Sequence, residues 1–129
     1  MEYSHYWRGG NFTVDQWERV KNLTRKILAE SDADVVGWDR DPTTSPDVTN
    51  YCIRLNGRQD EGHETFELHP ESTRFAFCKT ARKPYDEVVV AILQGAHEIN
   101  PQWFNWDSDG DAVDHTDGLM LLERAKARK

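Results

Sequence analysis

Three consecutive β-type runs between residues 51 and 80 constrain the fold more than any other feature of this chain. Residues 51–55 alternate apolar and polar side chains, as a strand with one buried face does, and Asn56-Gly57 follows as a turn signal. A second alternating run occupies 63–68 after a loop of about five residues. Two runs at this spacing predict an antiparallel hairpin.

The third run, 74–80, is apolar on both faces. Phe75 and Phe77 stand on one face, and Ala76 and Cys78 stand on the other. A strand that is buried on both faces lies inside a sheet, so this pattern predicts a central strand.

Helix signals separate the strands. Thr13 and Gln16 form a capping box, which together with the apolar spacing behind it predicts a helix over 14–30. Pro84 suits the first residue of a second helix, which we expect to be the most buried one. A third helix is predicted over 117–128, with Leu119, Leu122 and Ala125 on one side.

The remaining runs complete the order of elements. Residues 3–8 are predicted to form a first strand, ended by Gly9-Gly10, with its aromatic side chains packed at a sheet edge. Further strands are predicted at 34–38 and 102–106, and 39–49 is predicted to be a loop. This order predicts an α+β fold for residues 1–129 as a single domain, with an antiparallel or mixed sheet of four to six strands and about three helices mainly on one face.

Charge and cysteine content bear on the partners of this protein and on its cellular compartment. The chain has 23 acidic against 16 basic residues, a net charge of −7, which argues against binding duplex DNA. No apolar run approaches the ~20 residues of a membrane span, and Met1–His5 lacks the features of a secretion signal. Cys52 and Cys78 lie in strands and are expected to be free thiols, which favours the cytoplasm.

One segment concentrates positive charge in this acidic chain. Lys79, Arg82 and Lys83 stand with Thr80 directly before the helix that starts near Pro84. The free N–H groups and the dipole of a helix start favour an anion, so this segment is a candidate anion site. Asp86 in the first turn offers another explanation, because its carboxylate can satisfy the same helix end.

The first strand offers a second candidate. Tyr6, Trp7 and Arg8 combine two aromatic rings with a guanidinium group, which suits stacking on a nucleobase. Packing of the same aromatic side chains against the protein's own core is the competing interpretation.

Metal and catalytic motifs are poorly represented. Asp107, Asp109 and Asp111 resemble a calcium loop, but the sixth and twelfth positions are Ala112 and Gly118 instead of Gly and Glu. The five histidines have no zinc-ligand spacing, and no nucleophile elbow, phosphate-binding loop or cofactor fingerprint is present in the sequence. We therefore expect no cofactor, and favour a binding protein over an enzyme.

Several segments resemble the landmarks of a family of small proteins from bacteriophage and prophage genomes; they are Tyr3–Trp7, Leu55–Gly57, Glu64–Phe66, Phe77–Asp86 and Ser108–Asp111. The family more usually has Trp after the last of these segments, where this chain has Ala112-Val113. The resemblance carries no established activity. It implies a small accessory viral protein in a prokaryotic cytoplasm, of a kind that binds a host component or a signalling molecule.

Three functions remain open. The first is a binding protein whose partner is an anionic ligand, such as a nucleotide signal, or a host defence component. The second is a metal-dependent phosphoesterase or nuclease-like enzyme that uses Glu64, Asp109 and Asp111 as ligands and Lys79 to stabilise charge. The third is an acidic protein–protein inhibitor that imitates nucleic acid.

Overall fold

The computed structural model describes residues 3–128, so Met1, Glu2 and Lys129 lie outside it, and with them part of the N-terminal segment considered above. Three α-helices are present, and their bounds are Val14–Glu30 (α1), Asp86–Ile99 (α2) and Thr116–Ala127 (α3). The Thr13 side chain accepts from the Gln16 N–H, and the Gln16 side chain accepts from the Thr13 N–H, each at 3.0 Å. The predicted capping box and the predicted start of α1 are therefore confirmed.

The strands form two antiparallel sheets instead of one. Their bounds are Ser4–Gly9 (β1), Val35–Val36 (β2), Asp47–Val48 (β3), Ile53–Gly57 (β4), Phe66–Leu68 (β5), Thr73–Lys79 (β6) and Phe104–Ser108 (β7). The first sheet has the order β6-β1-β7. In the second, the order is β2-β4-β3, and β5 also pairs with β4. The α+β class is confirmed, and so is the antiparallel pairing of β4 with β5.

Two predicted strand positions are wrong. The first strand was expected at a sheet edge, but β1 is the middle strand, with β6 and β7 on its two sides. The run 74–80 was expected in a sheet centre, but β6 is an edge strand whose Phe75 and Phe77 are 60% and 49% exposed. Only Cys78 of this strand is fully buried, so its apolar pattern reflects one buried face and one aromatic surface.

The core lies between the helices and the inner faces of the sheets. Residues 88–93 of α2 are all buried, which confirms that this helix is the most enclosed one. Leu121, Leu122 and Ala125 of α3 pack into the same core, whereas Leu119 is 38% exposed and does not share the predicted buried side. Cys52 and Cys78 are free thiols, as predicted. Within residues 3–128, no helix has the length and apolar character needed to cross a membrane.

A tight contact ends β1 and positions its neighbours. Gly9 has a φ of 85° and lies against the Trp103 carbonyl, which a β-carbon at position 9 would approach to 1.7 Å. The Gly10 N–H then donates to that carbonyl at 2.8 Å. The first strand therefore ends at Gly9-Gly10 as predicted. Position 9 requires glycine because the backbone there contacts Trp103, directly before β7.

Candidate functional site

Four of the five segments singled out by resemblance meet around His5. The middle strand β1 carries His5 to the inner face of its sheet, where the side chain is fully buried. Hydrogen bonds join His5 of β1 to Asp86 at the start of α2 and to Ser108 at the end of β7. Another joins Tyr85, directly before α2, to the Glu64 carbonyl. The convergence places side chains that are up to 105 residues apart in sequence within one polar cluster.

A hydrogen-bonded chain runs through the imidazole of His5. Its Nε2 lies 2.6 Å from Asp86 Oδ1, and its Nδ1 lies 2.9 Å from Ser108 Oγ. Since a carboxylate only accepts, Nε2 carries a proton; in the neutral imidazole, Nδ1 then accepts from the Ser108 hydroxyl. The buried Thr80 hydroxyl also donates to Asp86 Oδ1, at 2.5 Å, and the Gly110 N–H donates to Ser108 Oγ at 2.9 Å.

Two unpartnered polar atoms border this chain. Among the described residues, the Tyr3 hydroxyl and His115 Nε2 are the buried side-chain polar atoms without a hydrogen-bond partner. Their rings lie 5.2 Å and 5.9 Å from the ring of His5. Of the two, the Tyr3 hydroxyl has the Ser108 side chain near enough to lower its pKa as a hydrogen-bond partner, whereas His115 Nε2 has no such neighbour among the described residues. A buried polar group left unpaired costs about 1–3 kcal/mol unless a ligand or a water pairs with it.

Burial shifts the ionisation of both flanking rings. It raises the pKa of Tyr3, so its hydroxyl keeps its proton at neutral pH. Burial and, second to it, the neighbouring His5 lower the pKa of His115, so that its imidazole is neutral at pH 7. Tyr3 and His115 therefore present neutral donors and acceptors beside His5 and Asp86.

The cations predicted to hold an anion are placed differently. Arg82 lies over the Tyr3 ring at 4.1 Å and forms an ion pair with Asp114. Arg82 and Lys83 line a cavity of about 380 Å³ beside the starts of α2 and α3. Five carboxylates line the same cavity: Asp32, Asp86, Glu87, Asp114 and Asp117. Two cations against five carboxylates make the cavity a poor site for an external anion.

The other members of that segment are engaged within the protein. Thr80 is fully buried and donates to Asp86, as described above. The Lys79 N–H donates to Glu64 Oε1 at 2.8 Å, and Lys79 does not line the cavity. Asp86 is the first residue of α2, but its carboxylate accepts from His5 and Thr80, and no side chain within residues 3–128 caps the N–H groups of this helix end. The alternative that Asp86 satisfies the helix end is therefore not borne out in that form.

The aspartates proposed as metal ligands hold local structure instead. Asp109 accepts from the Ser4 N–H at 3.1 Å and from the Tyr6 hydroxyl at 3.0 Å. Asp107 accepts from the next backbone N–H in the chain, and Asp111 accepts from two N–H groups at positions 113 and 114. Within residues 3–128, no group of three or more His, Cys, Asp or Glu side chains is arranged to hold a metal ion.

The outer face of the first sheet carries an exposed aromatic surface. We define the aromatic face as Tyr6, Phe75 and Phe77. The rings of Tyr6 and Phe75 are stacked at 5.8 Å with an interplanar angle of 29°, and Phe77 lies 6.0 Å from Phe75. Arg8 stands beside them, and a groove of about 410 Å³ runs between these side chains and β7.

Trp7 does not belong to this surface. It points to the opposite face of β1, is 4% exposed, and packs on Phe66 with ring centres 5.3 Å apart. The structure therefore brings Tyr6 and Arg8 together as predicted and gives Trp7 to the core. Sequence reasoning missed Phe75 and Phe77 as surface residues, because a run that is apolar on both faces does not show which face another element covers.

Comparison with family models, curated proteins and solved structures gave no match for this chain. The fold and the sites define an α+β protein of two antiparallel sheets and three helices. It combines a partly buried serine–histidine–aspartate chain, in which His5 is enclosed, with an exposed aromatic face.

Proposed function

We propose that this protein binds a nucleotide on the outer face of its three-stranded sheet. The base would stack on the aromatic face, and the anionic group would lie at Arg8. The observation that carries the proposal is the stacking of Tyr6 on Phe75. Phe75 is 60% exposed, and it lines the same groove as Arg8. Stacking on aromatic rings contributes about 1–3 kcal/mol per base.

The groove supplies groups for both ends of such a ligand. Arg8 is exposed and forms no ion pair with any residue of the described part of the chain, 3–128, so its guanidinium is available to a phosphate. Asn105 and Asp107 line the opposite wall and are exposed. Amide and carboxylate oxygens accept hydrogen bonds from amino and imino groups of a base, which gives the groove a means of choosing among bases.

This proposal moves the anion site from the start of α2 to the sheet face. It keeps Tyr6 and Arg8 of the predicted residues and adds Phe75 and Phe77. The viral context implied by resemblance stays part of the proposal, with a nucleotide signal of the host cell as the ligand. A host protein bound to the aromatic face is the alternative occupant.

Isothermal titration calorimetry with the four common ribonucleoside monophosphates, their cyclic forms and the parent nucleosides tests the proposal. Phe75→Ala should weaken nucleotide binding about 5- to 150-fold, which corresponds to the stacking energy of one base. Arg8→Gln should weaken nucleotide binding about tenfold and leave nucleoside binding unchanged, because a nucleoside has no phosphate.

Two matched variants serve as controls. Tyr51→Ala removes an aromatic ring that is 82% exposed outside the groove, and Arg19→Gln removes an exposed arginine on α1. Neither should change nucleotide affinity. The proposal is wrong if no nucleotide binds at millimolar concentration, or if Phe75→Ala binds as tightly as Tyr51→Ala.

A further inference from the structure

We propose that Ser108, His5 and Asp86 form a hydrolytic centre for small uncharged carboxylic esters, with Ser108 as the nucleophile. The connectivity is that of a nucleophile, a base and a group that orients the base. Ser108 Oγ lies 2.9 Å from His5 Nδ1, and His5 Nε2 lies 2.6 Å from Asp86 Oδ1. Both distances fall within the range at which a proton can be transferred or a ring held in one tautomer.

The tautomer is the one that the reaction requires. In neutral His5, the Nε2 N–H donates a hydrogen bond to Asp86, so the Nδ1 lone pair faces the Ser108 hydroxyl and can take its proton. The base in this chain is Nδ1, whereas most serine hydrolases use Nε2; the two nitrogens are equivalent in this role when the other one is held by a carboxylate.

Ser108 is reachable while its base is enclosed. Ser108 and His115 line a groove of about 400 Å³ between β7 and α2, together with Trp106 and Gln94. His5 is fully buried, so water does not compete for Nδ1. Within residues 3–128, Asp107 lines this groove and no lysine or arginine does, which disfavours an acyl group with negative charge.

His115 supplies the donor that an acyl transfer needs. Its Nε2 is buried and has no partner within residues 3–128, and its ring borders both His5 and Trp106, with centres 5.9 Å and 5.1 Å apart. A neutral imidazole can donate one N–H to the oxygen that becomes negative when the ester carbonyl is attacked.

The steps balance with water as the second substrate. The Ser108 hydroxyl proton passes to His5 Nδ1 as Oγ bonds to the carbonyl carbon. The ester C–O bond then breaks, and the leaving alcohol takes the proton from Nδ1. Water attacks the acyl-serine, gives one proton to Nδ1 and releases the carboxylic acid, while that proton returns to Ser108 Oγ.

Two probes test this centre without knowledge of a natural substrate. A fluorophosphonate reagent should add to Ser108 of the full chain, as located by intact mass and peptide mapping, and p-nitrophenyl acetate should be hydrolysed with turnover. Ser108→Ala should abolish both signals. Ser72→Ala, which removes an exposed serine, is the matched control and should leave both unchanged.

Asp86 is a positioning residue in this scheme, and its variant separates positioning from folding. Asp86→Asn should lower kcat for p-nitrophenyl acetate at least about tenfold with little change in KM, since the groove that binds the ester stays intact. Circular dichroism of each variant verifies the fold.

Absence of fluorophosphonate on Ser108 of the folded wild-type chain overturns the proposal, and so does hydrolysis by Ser108→Ala at the wild-type rate. The two grooves share Asn105, Trp106 and Asp107, but Arg8 and Phe75 line only the nucleotide groove, and Ser108 and His115 line only this one. Variants at these unshared positions therefore distinguish failure of nucleotide binding from failure of ester hydrolysis.

Discussion

Asp86 Oδ1 accepts hydrogen bonds from two buried groups at once, His5 Nε2 at 2.6 Å and the Thr80 hydroxyl at 2.5 Å. A single oxygen thus joins β1 to the turn that precedes α2. Asp86→Ala would leave both donors buried without an acceptor, and each such loss costs about 1–3 kcal/mol. We expect this variant to lose about 2–4 kcal/mol of unfolding free energy, measured by urea denaturation.

Asp86→Asn should lower the unfolding free energy less than Asp86→Ala does, because its remaining side-chain oxygen can still accept a hydrogen bond. Asp60→Ala, an exposed carboxylate in the short 3-10 turn at Gln59–Glu61, should change the unfolding free energy by less than about 0.5 kcal/mol. Equal stability of Asp86→Ala and Asp60→Ala would show that Asp86 does not hold the cluster together.

The turn that leads into α2 stores backbone strain at two adjacent residues. Ala81 and Arg82 have φ values of 53° and 58°, and the Lys83 N–H donates to the Thr80 carbonyl at 3.0 Å across them. Left-handed backbone costs an L-residue about 1 kcal/mol that glycine avoids. Ala81→Gly should therefore raise the unfolding free energy by up to about 1 kcal/mol, measured by thermal and urea unfolding.

A second alanine gives the opposite sign and serves as the control. Ala29 lies exposed in α1, where glycine costs about 1 kcal/mol relative to alanine. Destabilisation by Ala81→Gly as large as that by Ala29→Gly would contradict the strain at position 81.

The parts of the fold that sequence predicts well are those set by neighbouring residues. The start of α1 follows from two side chains three positions apart, and the burial of α2 follows from an uninterrupted apolar run. The places of β1 and β6 in their sheet depend on partners about 70 residues away, such as Tyr6 and Phe77. An alternating pattern predicts that a strand exists and carries no information about what covers each side.

The nucleotide groove and the Ser108–His5–Asp86 centre also differ in how far the sequence predicts them. Tyr6 and Arg8 are close in sequence, so their combination is recognisable as a stacking surface before the structure is known. Ser108, His5 and Asp86 stand in three separate elements, and no spacing between them signals a common site. The sequence singled out the segments that contain them, but only the pairing of β1 with β7 and with the turn before α2 brings the three side chains into contact.

Gly118 sets how closely α3 approaches α2. A β-carbon at position 118 would lie 2.6 Å from the Cβ of Val90 and 3.0 Å from the Glu87 carbonyl. Neither atom can move without shifting α2, and such overpacking costs about 1–3 kcal/mol. Since alanine is a better helix former than glycine by about 1 kcal/mol, we expect Gly118→Ala to destabilise the protein by a net amount of up to about 2 kcal/mol in urea denaturation.

Gly95 of α2 is the matched control for this contact. A β-carbon there would meet Leu23 Cδ2 at 2.6 Å, but that atom is the end of a flexible, half-buried side chain. Gly95→Ala gains the same helix propensity, displaces this methyl group and presses lightly on Leu122 Cδ1 at 3.3 Å. Both contacts are with side-chain ends instead of backbone, so the effect should be close to neutral. A cost equal to that of Gly118→Ala would mean that the rigid contact with Val90 is not decisive.

Glu87 makes stability depend on pH with a sign opposite to that of most carboxylates. Burial raises the pKa of Glu87, and the nearby carboxylates of Asp117 and Asp32 raise it further, against the hydrogen bond donated by Ser31 and the charge of Arg124. A carboxyl whose pKa is higher in the folded state favours folding when protonated. This contribution is fully present below the pKa of the unfolded chain and is lost as the pH rises through the folded pKa.

Glu87→Gln keeps the side-chain shape and removes the ionisable group, so the variant does not lose unfolding free energy as the pH rises. The variant should be more stable than the wild type at pH 7, and the difference should shrink as the pH is lowered toward the unfolded pKa of about 4.3. Urea denaturation of both chains at several pH values between 4 and 7 measures the difference, and Glu61→Gln, an exposed carboxylate, should show none. A difference that is constant over this range, or that grows toward low pH, would contradict the raised pKa of Glu87 and the crowding of carboxylates at the start of α2.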